Sequence, residues 1–460
     1  MIRRTLLAAC FVATCCSVYS HASRLQADDT WQAGAAATVI TPPNLMWMAG
    51  YGGRDHIAEG KLTDLWAKAL VLRDARGRQG VVITLDLVGI DRRLSQRICE
   101  SLNRRYKLQR DQIAICTSHT HSGPVVGRNL ASLHYLLLDE RQQSLVDAYA
   151  ETLHDKVVAV VGEALARLEP STLAWGSGTA TFAVNRRNNP AAEVPKLRAE
   201  GKLAGPQDHD VPVLAVRNAE GQLTAVLFGY ACHCTVLGIY EWSGDYAGFA
   251  QMELEERHPE SVALFWAGCG ADQNPLPRRE VALAKEYGRR LADAVDKVLN
   301  ADLPAVEPEL DTQYQEIPLP LGTLPSRQQV LDDAKSSNKY TAARARLLLS
   351  QLDRDGELAS TYPYPVSVWR LGEVQFVHLG GEVVVDYALR LKKELAGKRT
   401  WVAGYANDVM AYIPSRRVLS EGGYEGGGAM VYYGLPTVWA PECEDRIVEA
   451  VHAMAKRPGQ

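Results

Sequence analysis

Seven apolar runs constrain this chain more than any other feature. They are VVITLD (81–86), IAIC (113–116), VPVLAV (211–216), AVLFGYA (225–231), VALFWAG (262–268), VQFVHLG (374–380) and WVAGYA (401–406). Near-continuous runs of this kind read as buried strands. Amphipathic helices fall between some of them. One spans about 142–168, with Leu145, Tyr149, Leu153, Val157, Val160, Ala164 and Leu168 on one face. Others span about 280–299 and about 384–396. The alternation predicts an α/β fold, with a mixed, mostly parallel buried sheet flanked by helices. The polar stretch 325–358 reads as a helical peripheral insertion or a boundary. Gly-rich 421–434 carries three tyrosines, so it reads as a loop that approaches something rather than a flexible linker.

Polar clusters recur just after these strands. IAIC runs into TSHTHSGP, AVLFGYA into CHCT, VALFWAG into CGADQNP, VQFVHLG into GE, and WVAGYA into NDVMAYIP. Ligands of open α/β sheets bind outside the carboxyl ends of strands. His119, His121, His233 and Glu382 therefore form a candidate metal set of imidazoles and a carboxylate. Any one of these histidines alone would be a weak signal. His378 sits within a strand without ligand spacing and reads as structural. Thiolate ligation by Cys232, Cys234 and Cys269 competes with His233, because neighbours on a strand face opposite ways. Ser122 lies in a turn, and no GxSxG elbow exists, so a Ser-His-Asp enzyme fits poorly. Cys234 beside His233 is disfavoured as a Cys-His pair for the same alternation. Metal-assisted hydrolysis fits better, with tyrosines from 405–433 as donors to an oxyanion. Tyr432 and Tyr433 read as packing residues.

The same residues resemble the neutral/alkaline (non-lysosomal) ceramidase family over about 31–446. The resemblance is carried by AGAAATVITPP, MAGYG, HTHSGP, VNRRN, FGYACHCTVLG, GGEVVVDYALRLK and GYANDVMAYIPSRRVLSEGGYE. It implies one ceramidase-like catalytic domain over 31–456. It also implies one zinc ion held by His119, His233, Glu382 and Tyr412, with His121, Arg186 and Tyr424 handling the scissile amide. Arg187 is an adjacent alternative to Arg186. Two departures matter. Where the family has the serine of GDVSP, this chain reads GADQNP, with Asn274 at the serine and Asp272 at the aspartate. An amide cannot become an alkoxide. The expected nucleophile is then zinc-activated water, with Asp272 or His121 taking a proton and Asn274 orienting water or substrate. Both Asp272 and Asn274 have a second reading as caps of the turn. The family's C-terminal β-sandwich also has no counterpart here, so the expected substrate is a small N-acyl compound, lipid or sugar-like, rather than ceramide itself. Hydrolysis of an ester or glycoside, or zinc-dependent binding without catalysis, are the alternatives.

Charge and composition exclude other classes. Hydrophobic residues make up 47% and charged residues 23%, the balance of a globular protein, and the formal net charge is −4. No long basic run points to nucleic acid or an anionic membrane surface. MIRR, an apolar core and SHAS read as a signal peptide over 1–22, which predicts export to a periplasm or medium. No later segment has the length of a transmembrane span. Cys116, Cys232 and Cys269 lie in apolar runs and read as buried thiols.

Overall fold

The computed structural model describes residues 30–395 and 399–456. The leader expected at 1–22 lies outside the described residues. An eight-stranded sheet and a four-stranded sheet lie face to face, each covered by helices on its outer side. Strand periodicity explains the layering. In Gln79–Leu85, Val81, Ile83 and Leu85 pack under the helices Arg92–Tyr106 and Glu140–Ala166, whereas Val82 faces the second sheet. There Val82 joins Ala114, Leu214, Leu227 and Leu264 against Trp369, Phe376 and Trp401. Helices Asp245–Arg257 and Val281–Leu299 cover the other half of the large sheet. Helices Val385–Glu394 and Cys443–Ala455 cover the small one.

Both sheets are mixed, and antiparallel pairs predominate, which corrects the expectation of a mostly parallel sheet. In the large sheet only the two pairs Gln79–Leu85 with Ile113–Thr117 and Leu223–Tyr230 with Val262–Ala267 are parallel. In the small sheet only Val374–Leu379 with Arg399–Ala403 is parallel. The antiparallel strands include Trp31–Val39, Glu169–Thr179, Leu310–Pro320 and Thr361–Leu371. Their sequences carry Ala, Gly, Pro or alternating polar residues, so they lack the apolar run that marks a strand buried on both faces. Each parallel pair is a strand–helix–strand unit, and those three units supply the strand ends on which the polar clusters sit.

The segment after Arg399–Ala403 ties the two sheets together. Ala406 bridges Cys116 and Ala403 bridges Gly268. The Asn407 N–H donates to Ile115 O at 2.6 Å, and the Ile115 N–H donates to Asn407 Oδ1 at 3.2 Å. Tyr405 and Asn407 take left-handed φ of 54° and 65° to make this turn. Region 325–358 forms two helices, Arg327–Asp333 and Lys339–Asp355. No helix among the described residues is long and apolar enough to cross a membrane.

Candidate metal centre and adjoining pocket

The chain leaves Ile113–Thr117 and turns sharply at His119, which has φ 59°. A non-glycine residue in that region is strained, and such strain gathers at functional sites. In an extended chain, residues two apart such as His119 and His121 share a face. They do share a site, but through this left-handed turn. Their rings meet edge to face at 4.8 Å, with the Nε2 atoms 3.1 Å apart. Tyr405 stacks on His119 at 4.4 Å. The His121 ring rests against Tyr51 at 4.7 Å and against Gly50, where a Cβ would come within 2.5 Å of the imidazole.

His233 follows Leu223–Tyr230, and its ring nitrogen joins those of His119 and His121 in a buried trio whose atoms lie within 4.8 Å of one another. Glu382 and Tyr412 pair directly across two short parallel strands, Glu382–Val383 and Tyr412–Ile413. Gly381 precedes this pair at φ 75°, with Ala411 O filling the place a Cβ would take. Glu382 Oε2 lies 3.1 Å from His119 Nε2 and 3.2 Å from His233 Nε2. Tyr412 Oη lies 3.3 Å from His233 Nε2 and accepts from Arg186 Nη2 at 3.1 Å.

The proton assignments decide what this convergence can hold. His119 Nδ1 faces Val88 O at 2.5 Å, and His233 Nδ1 faces Gly270 O at 2.8 Å. A carbonyl only accepts, so each Nδ1 carries a proton, and Nε2 is the ring atom that each histidine turns toward Glu382. Glu382 Oε2 is buried without a hydrogen bond of proper geometry, although two imidazole nitrogens stand close to it. Lone pairs crowded on one point are the donor set of a cation site, and backbone carbonyls behind the histidines are its usual support. Burial pulls His233 down to about 4, which keeps it neutral at ordinary pH. Burial and the neighbouring His119 and His233 hold His121 well below the usual range.

Arg186 spans from this cluster to an adjoining cavity of about 580 Å³. Its Nη1 approaches His233 Nε2 at 3.5 Å and Asn274 Oδ1 at 3.4 Å. Asn274 and Tyr424 line the same cavity, with Tyr424 packed edge-on to Tyr412 at 5.2 Å. Seven of the nine residues singled out from the sequence thus meet here, and Tyr424 stands at the rim, 47% exposed. Asp272 contributes differently. Its oxygens accept from the Val385 N–H at 2.9 Å and from Asn185 Nδ2 at 3.0 Å, so the carboxylate holds the first turn of helix Val385–Glu394. Cys232 and Cys234 pack in the apolar cluster with Tyr246, and Cys269 packs with another cluster. Burial pushes all three thiols up, and their place in two separate apolar clusters, away from the histidine trio, speaks against the thiolate alternative.

The structure adds residues that sequence reasoning missed. Tyr433, taken as a packing residue, donates its hydroxyl to Glu382 Oε1. Glu425 accepts from Arg186 Nε and from Arg187 Nη1, each at 2.6 Å. Arg187 therefore holds Glu425 and does not replace Arg186. The pairing of GGYE with VNRRN is 239 residues apart in sequence for Arg186 and Glu425, and no local pattern announces it.

A family model described as neutral/alkaline non-lysosomal ceramidase, N-terminal, matches residues 31–269. The chain belongs to this family. It is 25% identical over 455 residues to a neutral ceramidase of Pseudomonas aeruginosa, covering 83% of this chain and 66% of that protein. It is 24% identical over 236 residues to a neutral ceramidase of Drosophila melanogaster, covering 50% of this chain and 32% of that one. The chain thus spans just under two thirds of the bacterial ceramidase and a third of the insect one. The fold matches the crystal structure of the Pseudomonas aeruginosa enzyme with a TM-score of 0.72 at 20% identity, over 93% of this chain and 74% of that chain. A ceramidase complexed with C2 matches with the same score.

Proposed function

We propose that this chain is an exported, zinc-dependent hydrolase of amide-type (N-acyl) bonds whose substrate is a small molecule more polar than ceramide. The observation that carries this reading is the convergence of His119 Nε2, His233 Nε2, Glu382 Oε2 and Tyr412 Oη with both Nδ1 protons committed to backbone carbonyls. Imidazole, carboxylate and phenol oxygen suit zinc among the common ions. Zinc held by these four residues supplies Lewis acidity toward a carbonyl oxygen and lowers the pKa of water.

The chain's own residues do the rest. Hydrolysis breaks the C–N bond, adds a water oxygen to the acyl carbon and delivers a proton to the amine nitrogen. His121 is neutral, and its Nε2 faces the cluster 3.1 Å from His119 Nε2, so this atom can take a proton from water and return it to nitrogen. Arg186 and Tyr424 supply donors for the charge that develops on the carbonyl oxygen. Asn274 orients the reacting groups through its amide, and Asp272 keeps helix Val385–Glu394 beside the site. A polar substrate suits the cavity, whose lining includes Arg186, Arg187, Asn189, Asn274 and Glu421. The leader-like residues 1–22 support export.

Metal content of the wild type and of the His119→Ala and Glu382→Ala variants tests the centre. Zinc bound by the wild type and lost in both variants is expected. Retention in both sinks the ligand assignment. A panel of N-acylated amino acids, N-acetylated sugars, esters and ceramide tests the reaction. Amide turnover abolished by chelation and by Tyr424→Phe is expected, and a preference for ceramide or for esters refutes the substrate class.

A further inference from the structure

The cavity beside the histidine cluster can be read from what its walls still offer a ligand. Charge there is already met. Glu425 accepts from Arg186 Nε and Arg187 Nη1, and Glu421 accepts from Arg187 Nη2 at 3.0 Å and from Arg417 Nη1 at 2.9 Å. Arg417 in turn meets Asp386, so three guanidinium groups stand with three carboxylates. Arg187 also donates to Gly422 O, and its remaining Nε is buried. The Asn189 amide is spent as well. Its Nδ2 donates to Asn185 O at 2.8 Å and to Ala204 O at 2.7 Å, and its Oδ1 accepts from the Ala204 N–H at 3.0 Å. Asn274 differs. Arg186 only donates, so the amide turns Oδ1 toward Nη1 at 3.4 Å, and Nδ2 is left on the other side without a partner among the described residues. The residue is 5% exposed and lines the cavity. Its backbone is held in the short strand Gln273–Pro275, which pairs with Ala183–Asn185, and the Gln273 side chain is bonded to Ala231 O and to the Asp208 N–H. The Tyr424 hydroxyl at the rim also has no hydrogen-bond partner among the described residues. Between these polar groups the wall is apolar, at Pro190, Ala191 and Leu276.

A wall that has met its own charges has no partner for an ion and must desolvate it. A fixed amide donor gains when an oxygen accepts from it, and a ligand lacking that oxygen leaves it unpaired. We propose that the cavity takes an uncharged, hydroxylated portion of the substrate, a polyol or sugar, with Asn274 Nδ2 donating to one of its oxygens. This deepens the hydrolase reading and rests on it. Asn274 meets Arg186 Nη1 through Oδ1, and that nitrogen lies 3.5 Å from His233 Nε2, so the amide stands one guanidinium away from the metal centre. It therefore reads an oxygen beyond the scissile carbonyl, and orients the reacting groups by holding the hydroxylated portion. Hydroxyls meet Asn274 and Tyr424 while C–H faces rest on Pro190, Ala191 and Leu276. A volume of about 580 Å³ admits a group of hexose size. The residue that stands where the family has a serine is on this reading a specificity residue.

Two matched pairs of N-acyl compounds test this. N-acetylglucosamine is set against N-acetylcyclohexylamine, and N-gluconoylpropylamine against N-hexanoylpropylamine. The hydroxylated member of one pair is preferred by about a hundredfold in kcat/KM, and the pair that shows it tells an amine-side polyol from an acyl-side one. Oxidising the terminal CH2OH of the preferred compound to a carboxylate lowers its kcat/KM about tenfold. Asn274→Leu and Asn274→Ala each lower the preference for hydroxyls about tenfold, chiefly through KM, with the fold checked by circular dichroism. Equal turnover within both pairs, a gain from the carboxylate, or a preference untouched by both variants overturns the proposal and leaves the hydrolase reading standing. If no compound is hydrolysed, calorimetric titration of the folded protein with the same compounds decides. Binding of a hydroxylated member but not its partner, lost in Asn274→Leu, upholds the cavity's ligand while the hydrolase reading falls. No binding of either hydroxylated compound overturns both.

Discussion

Replacing Glu425 by alanine separates a positioning role from simple stability. Glu425 is 5% exposed and joins Arg186 and Arg187 at 2.6 Å each. Burial would raise its carboxyl, but Arg186 and Arg187 hold it below the usual range, so it is charged at neutral pH. Breaking a buried pair by removing one partner costs about 3–5 kcal/mol, because the other charge stays desolvated. Arg187 keeps Glu421 at 3.0 Å, so the loss falls mainly on Arg186, and the lower end, about 3 kcal/mol, applies. Unfolding entropy for a chain of this length is roughly 1 kcal/mol/K near the midpoint, so Tm falls by about 3 °C. Activity suffers more. Freed from Glu425, the guanidinium no longer keeps its place between Tyr412, His233 and Asn274, and loss of one oxyanion donor lowers kcat by about a hundredfold. The assay is thermal unfolding by circular dichroism together with steady-state kinetics on the best N-acyl substrate. Glu425→Gln, which keeps the shape but not the charge, falls between the wild type and alanine. A Tm within about 1 °C of the wild type and an unchanged kcat in Glu425→Ala would show that Arg186 needs no anchor.

Three further outcomes follow from single contacts. Tyr433→Phe removes the donor to Glu382 Oε1 and weakens zinc affinity about 10–100-fold, measured by competition with a chromophoric chelator. Gly50→Ala places a methyl in the His121 ring at a φ of 90°, so kcat falls while zinc content stays at the wild-type level; a fully active variant contradicts the packing. Burial among Trp266, Trp369 and Phe376, with Arg110 as a lesser cause, pulls His378 down to about 3. The folded state thus resists a proton that the unfolded chain accepts near 6.5, and the stability His378 contributes above pH 6.5 is lost as pH falls toward 3. His378→Leu therefore loses about 2–3 kcal/mol less than the wild type between pH 7.5 and 4.5 in urea unfolding, and an equal loss excludes a neutral buried imidazole.

Much of the site was legible because strand ends announce themselves. HTH, CHC, GGE and NDVMAY each follow an apolar run, and chain order suffices to gather them at one edge. The helices at 140–166 and 281–299 showed through their period, within two residues of the expected bounds. Illegible were Trp31–Val39, Glu169–Thr179, Leu310–Pro320 and Thr361–Leu371, antiparallel strands whose small or half-polar residues resemble loops, and every contact between distant segments. Tyr433 looked like packing because nothing local distinguishes a tyrosine that meets Glu382 from one that meets apolar neighbours. Asp272 had two readings from its motif, proton acceptor and turn cap, and its oxygens accept from the Val385 N–H at a helix start and from Asn185 Nδ2.

By itself, the sequence determined which residue types reach the site, since apolar runs fix the strands and strands fix where polar side chains emerge. Tertiary structure decided what those residues do. The tautomers of His119 and His233 come from carbonyls of Val88 and Gly270, which lie on other segments. The charge balance comes from Glu425 meeting Arg186 and Arg187. A side chain's proton and charge depend on its neighbours in space, and only the folded chain chooses those neighbours.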